Sequence, residues 1–307
     1  MPLFYRFLFL MATLLTAADL RAAQVCGETG VWVQILGAGG AEINDGAAGS
    51  SYVIWLDNKA RAIIDTGPGS SVAFDQSGAQ FEDIEVMAFT HLHADHSADF
   101  AAFVEGSASL TRTAPLIVLG PDSAVPGIPD MSTFVDRFIG AEGVYPHLQD
   151  FLTHKSSGGY RIRVRNVPSS GVKRWAQFGS EHLRLAAIPV YHDGVPALAW
   201  RVEVGDKSVV ITGDFNNQKN VMPKFAKNAD MLIATHAIPE NARGNQKERY
   251  ALPSQLGRIA KQADARMLVL SHRMNRTRGK ESLSRQAIEE HYQGYVLFAN
   301  DGECWGL

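Results

Sequence analysis

The stretch Thr90-His91-Leu92-His93-Ala94-Asp95-His96 packs three imidazoles and a carboxylate into six consecutive positions. Imidazole and carboxylate are ordinary ligands for zinc, and manganese or iron accept the same donors. A metal held this way turns water into a nucleophile at neutral pH. Side chains alternate along an extended segment, so His91, His93 and Asp95 are expected to share a face. His96 is expected where the chain turns into a helix over residues 97–104. Further along, His192, Asp214 and His272 offer the same donor types.

Each candidate follows an apolar run that reads as a strand. Residues 85–89 precede the histidine-rich stretch. Residues 183–189 lead to His192, 208–211 to Asp214, and 266–270 to His272. Further strands are expected over residues 31–36, 51–56, 116–119, 197–204, 229–233 and 295–298. A strand over residues 62–65 ends at Asp65 in a Gly/Pro turn. Helices are expected over residues 132–139, 145–154, 253–262 and 281–292, with Pro253 suited to a first turn. Residues 37–51 are rich in Gly and Ala, but no Lys-Ser/Thr follows, so they read as a turn region rather than a phosphate loop.

His91-Leu92-His93-Ala94-Asp95-His96 resembles the HxHxDH signature of the metallo-β-lactamase superfamily. Ile64-Asp65-Thr66-Gly67, Val190-Tyr191-His192, Ile211-Thr212-Gly213-Asp214 and Leu268-Val269-Leu270-Ser271-His272 are similar to motifs of its ribonuclease Z and phosphodiesterase branch. The resemblance implies an α/β fold, an αββα sandwich with metals at one edge of the two sheets. It implies two Zn2+ ions, with Mn2+ or Fe2+ as other candidates. His91, His93 and His192 would hold one ion, and Asp95, His96 and His272 the other. Asp214 would bridge them, Asp65 would orient a ligand histidine, and a hydroxide shared by the ions, oriented by Asp95, would be the nucleophile. True β-lactamases of the superfamily generally lack a bridging aspartate at the position of Asp214.

One motif departs from the branch. It carries His-Glu-Ala-Thr where this chain reads Ala234-Thr235-His236-Ala237. The displaced His236 is expected to protonate the leaving oxygen, and the missing glutamate argues against tRNA processing. Arg273, Arg276 and Arg278 follow the last ligand and are expected to hold an anionic substrate group. Arg161, Arg163 and Arg165 alternate along an expected strand, either as an anion-binding wall or as an edge made basic against aggregation. They fall in residues 122–180, which match the family least and read as a variable insertion. His147, His154, His182 and His291 lie outside every motif and read as surface or core residues.

The 307 residues are 46% hydrophobic and 20% charged, an ordinary globular composition. Residues 1–23 place Arg6 before the apolar run Phe7-Leu8-Phe9-Leu10-Met11-Ala12-Thr13-Leu14-Leu15, with small residues after it. That pattern reads as a secretory signal peptide, too short for a comfortable membrane span. It predicts an exported protein, periplasmic or secreted, with one domain over residues 24–307. Cys26 and Cys304 are the only cysteines, and the sequence leaves open whether they pair. The net charge of −3 argues against a generic nucleic-acid binder. The expected partner is therefore a small-molecule or exposed anionic ester, with no stable nucleic-acid partner. The expected activity is phosphodiester hydrolysis. The alternatives are hydrolysis of a carboxylic ester, thioester or lactone, and metal binding without catalysis.

Overall fold

The structure, a computed structural model, describes residues 26–153 and 159–307. The expected signal peptide lies outside those residues, as does His154. Two seven-stranded sheets form the centre. The first contains β1 (Val31–Gly37), β2 (Ser51–Leu56), β3 (Lys59–Ile64), β4 (Val86–Ala88), β5 (Leu116–Pro121) and β6 (Ile162–Val167). The second contains β7 (Trp175–Gly179), β8 (Leu183–His192), β9 (Val195–Val204), β10 (Lys207–Ile211), β11 (Met231–Thr235), β12 (Met267–Ser271) and β13 (Tyr295–Phe298). The last strand, β14 (Cys304–Gly306), returns to pair with β1 at the far edge of the first sheet. The spatial orders are β14-β1-β2-β3-β4-β5-β6 and β13-β12-β11-β10-β9-β8-β7.

Local sequence explains the hairpins. Asp57 and Asn58 both take positive φ in the two-residue turn joining β2 and β3, which suits their short polar side chains. Asp193 and Gly194 do the same between β8 and β9, where His192 pairs with Val195. The strands that lead to the other candidate ligands have parallel neighbours instead. β4 lies between β3 and β5, and β11 between β10 and β12, and their residues are buried throughout or nearly so. Such strands need both faces covered.

Helices supply that cover. On the first sheet lie α1 (Ser70–Gln76), α2 (Ala94–Ser97), α3 (Phe100–Gly106), α4 (Met131–Ile139) and α5 (Asp150–Thr153). On the second lie α6 (Met222–Phe225), α7 (Gln246–Arg249), α8 (Pro253–Ala263) and α9 (Glu281–Glu289). Three apolar layers result. One holds Phe89, Phe100 and Phe134 under the first helices, one holds Ile35, Ile64 and Trp200 between the sheets, and one holds Phe215, Leu256 and Ile288 under the second helices. This is the expected αββα sandwich.

One local expectation differs from the structure. Asp95 lies in the first turn of α2, not on an extended segment with His91 and His93, because the strand ends at Ala88. Residues 122–180, read as a variable insertion, supply β6 and β7, the end strands of the two sheets. Cys26 and Cys304 form a disulfide with Cα atoms 5.8 Å apart, fastening the start of the described chain to β14. Among the described residues no helix is long and apolar enough to cross a membrane.

Candidate metal centre

Parallel strands end together, and their C-terminal ends form one edge of the sandwich. His91 and His93 follow β4, Asp214 follows β10, and His272 follows β12. Asp95 and His96 come from α2, and His192 from the tip of the β8–β9 hairpin. The loop after β4 is tied across the sheets: Leu198 N donates to Thr90 O at 2.8 Å, and buried Trp200 donates through Nε1 to Phe89 O at 2.9 Å.

The seven predicted ligands converge. Donor atoms of His91, His93 and His192 lie within 4.8 Å of one another, and so do those of Asp95, His96 and His272. Asp214 stands between the sets. Its Oδ2 is 3.6 Å from His192 Nε2 and 4.0 Å from His91 Nε2. Its Oδ1 is 3.4 Å from His272 Nε2 and 3.7 Å from His96 Nε2.

Ring partners fix which nitrogen is free. The Thr90 hydroxyl donates to Asp65 Oδ2 at 2.7 Å and so can accept from His91 Nδ1 at 3.1 Å. His96 Nδ1 donates to the same carboxylate at 2.8 Å, and His192 Nδ1 to Arg249 O at 3.2 Å. In His96 and His192 this turns Nε2 toward the carboxylates, and His91 Nε2 lies 3.1 Å from His93 Nδ1 and 4.0 Å from Asp214 Oδ2, the arrangement that orients metal ligands. Asp65 thus stands where the sequence places it, beside a candidate ligand histidine. Thr90 and Arg249 O carry no sequence signal for this role.

A cation fits this donor set. His96 Nε2 is fully buried with no hydrogen-bond partner, although it faces Asp95 Oδ2 at 3.6 Å and Asp214 Oδ1 at 3.7 Å. These gaps are too long for hydrogen bonds and leave room for an ion between. Burial opposes charge on His96, but Asp95, Asp65 and Asp214 together push its pKa up to about 10. Burial likewise raises Asp214, and His272, His96 and His192 outweigh it to hold the carboxyl below its usual range. Burial and the neighbouring imidazoles drive His91 well down.

Backbone geometry is special at one candidate ligand, at the carboxylate that orients another, and at two glycines. His272 has φ +51° and Asp65 φ +60°, left-handed conformations that cluster at functional sites. A Cβ on Gly40 would come within 2.4 Å of the His272 ring. Gly213, at φ +57°, lets the chain pass Thr90 where a Cβ would sit 2.6 Å away.

The other predicted residues separate. His236 does not join the cluster: its Nε2 bonds Ser284 Oγ at 2.8 Å and its ring packs against Phe298. Its displacement in the motif puts it beyond the end of β11, where the side chain turns under α9. Burial, with Arg273 nearby, lowers its pKa to about 4. Arg273 is also withdrawn, because its guanidinium is taken up by Glu281, Asn300 Oδ1 and Ala299 O. Arg278 Nη2 lies 3.7 Å from Asp45. Arg276 alone of the three reaches the cluster's surroundings, with its guanidinium 5.8 Å from the Tyr250 ring centroid. Of the histidines outside the motifs, His147, His182 and His291 pair with Glu105, Glu85 and Arg258.

Comparison with known proteins extends the fold. A metallo-beta-lactamase superfamily model matches residues 44–113. Ribonuclease Z of Myxococcus xanthus is 25% identical over 266 residues, covering 78% of this chain and 86% of the relative. Ribonuclease Z of Haloferax volcanii is 25% identical over 304 residues, covering 87% and 92%. The crystal structure of human tRNase Z, short form, superposes with TM-score 0.67 at 19% identity, covering 89% of this chain and 98% of that one. These findings overturn the expectation of a small-molecule or exposed ester substrate with no nucleic-acid partner, because the relatives point to a nucleic-acid substrate. Net charge misleads here because it sums the whole surface, whereas binding depends on local charge. The family implies a divalent metal, and the buried imidazoles and carboxylates suit one. The chain is a metal-dependent hydrolase, similar over residues 44–113 to the metallo-beta-lactamase superfamily and over most of its length to ribonuclease Z.

Proposed function

We propose that the chain hydrolyses a phosphodiester of nucleic acid, RNA above all, with two divalent cations, Zn2+ for preference. The observation that carries this is the place of Asp214, whose two oxygens face two separate sets of ligands. His91, His93 and His192 would hold one ion, Asp95, His96 and His272 the other, and Asp214 both. Bound ions would supply Lewis acidity and an activated water. The chain's own part is to hold Nε2 of each ring toward the ions through Asp65, Thr90 and Arg249 O. Asp95 Oδ2, 3.1 Å from His272 Nε2, lines the same space and can orient the attacking water.

Exposed Arg163 and Arg165 on β6 support a polyanionic substrate. Arg165 and Arg174 also border a cleft of about 430 Å³ beside Gly179 and Arg184. We further propose export from the cytoplasm, with residues 1–23 as the signal. The Cys26–Cys304 bridge supports this, since disulfides persist in oxidising compartments.

The test is RNA cleavage by the purified mature chain, with metal content measured before and after chelation. Two metals per chain and cleavage lost on chelation are expected. Turnover of a lactone or thioester with no phosphodiester turnover would overturn the reading.

A further inference from the structure

Tyr250 lies beside the imidazole cluster, and its hydroxyl has no hydrogen-bond partner among the described residues. Its side chain is only 8% exposed, and its hydroxyl bonds no described residue. The hydroxyl itself is not fully buried, so an incoming oxygen can reach it. The ring centroid lies 5.6 Å from that of His192 and 6.0 Å from that of His272, so it borders both ligand sets.

The segment around it is held on both sides. Arg249 O accepts from His192, and Arg249 Nε pairs with Asp193 at 2.8 Å. Ala251 N donates to Phe215 O at 2.8 Å. Arg276 donates to Ala237 O and lays its guanidinium over the ring. The result is a rigid hydrogen-bond donor at the cluster's rim. His236, meanwhile, bonds Ser284 through Nε2 and does not join the cluster.

We propose that Tyr250 is a catalytic residue whose phenolic O–H donates a hydrogen bond to the leaving oxygen of the scissile phosphodiester, with Arg276 positioning the ring. This rests on the phosphodiester reading above. Water adds its oxygen to phosphorus and loses a proton to solvent. The bond from phosphorus to the leaving oxygen breaks, and its electron pair stays on that oxygen. The phenol steadies the developing charge until solvent supplies the proton. A ribose oxygen carries much charge at that point and needs the donor. A p-nitrophenolate oxygen spreads its charge into the ring and needs it far less.

The experiment compares the metal-loaded protein with Tyr250→Phe on an RNA oligonucleotide and on bis(p-nitrophenyl) phosphate. Losing a donor at a developing oxyanion costs about 100-fold in kcat. A loss of that order is expected on RNA, with a much smaller one on the aryl ester. Equal losses on both, or none on either, would overturn the proposal while leaving phosphodiester hydrolysis standing. No turnover of either substrate by the unaltered chain would overturn both readings. Two measurements do not depend on the variant's activity. A series of aryl phosphodiesters on the unaltered chain should show a shallow dependence on leaving-group basicity, and a steep one would count against Tyr250. Calorimetry with a non-hydrolysable methylphosphonate dinucleotide should show several-fold weaker binding by Tyr250→Phe, and equal binding would also count against it.

Discussion

Asp214 meets different rings through each of its oxygens, so one substitution reaches both ligand sets. Asp214→Ala should lower metal content to one ion or fewer per chain and abolish cleavage, as read by elemental analysis and RNA turnover. Asp65→Asn acts indirectly, because it weakens the acceptor that holds His96 Nδ1. Metal affinity should fall about 10–100-fold, the usual cost of losing such a partner, with the melting temperature of the metal-loaded protein as a control. His236 gives a prediction about stability. Its folded pKa of about 4 lies below the ordinary 6.5, so between those values the unfolded chain binds the extra proton. Stability tied to His236 is complete above pH 6.5 and is lost as pH falls toward 4, by about 3 kcal/mol at most. Denaturant melts at pH 7 and pH 5 should show this loss, and His236→Gln should reduce it.

Strand ends and the loops after them hold the site together, and two glycines permit the closest approaches. Gly40→Ala would push a methyl against the His272 ring. It should weaken metal binding at the Asp95–His96–His272 set more than at the other, with little change in global stability. Sequential metal titration followed by calorimetry checks this. The edge strand β6 offers a second test at this scale. Arg163 and Arg165 are exposed, and RNA binding through phosphates falls with salt in proportion to the contacts made. Arg163→Glu with Arg165→Glu should raise KM for a long RNA more than for a dinucleotide, and should flatten the salt dependence.

At the scale of the whole molecule, one apolar layer closes the two sheets together and two more seat the helices, and one covalent link spans nearly the full described chain. Cys26 and Cys304 are 278 residues apart in sequence. Closing so long a loop restricts the unfolded chain and typically stabilises by about 2–5 kcal/mol. Cys304→Ala should therefore lower the melting temperature, while metal content and RNA turnover at 25 °C stay close to those of the parent. The metal edge lies at the C-terminal ends of the parallel strands, whereas β14 sits at the far edge of the first sheet.

The candidate ligand cluster was legible in the sequence because it is a matter of residue type and order. His91, His93, Asp95, His96, His192, Asp214 and His272 each follow an apolar run, and strand ends are where a layered α/β fold places its chemistry. Asp65 was legible for the same reason. The substrate-facing side was not. His236 and Arg273 carry suitable groups on suitable loops, yet packing under α9 gives them to Ser284 and Glu281. Tyr250 lies in no motif and is brought beside His192 and His272 only by the fold of the chain between β11 and α8. Strand pattern and ligand type are local properties that a sequence records. The direction of a buried side chain depends on neighbours distant in sequence, and only the tertiary structure decides it.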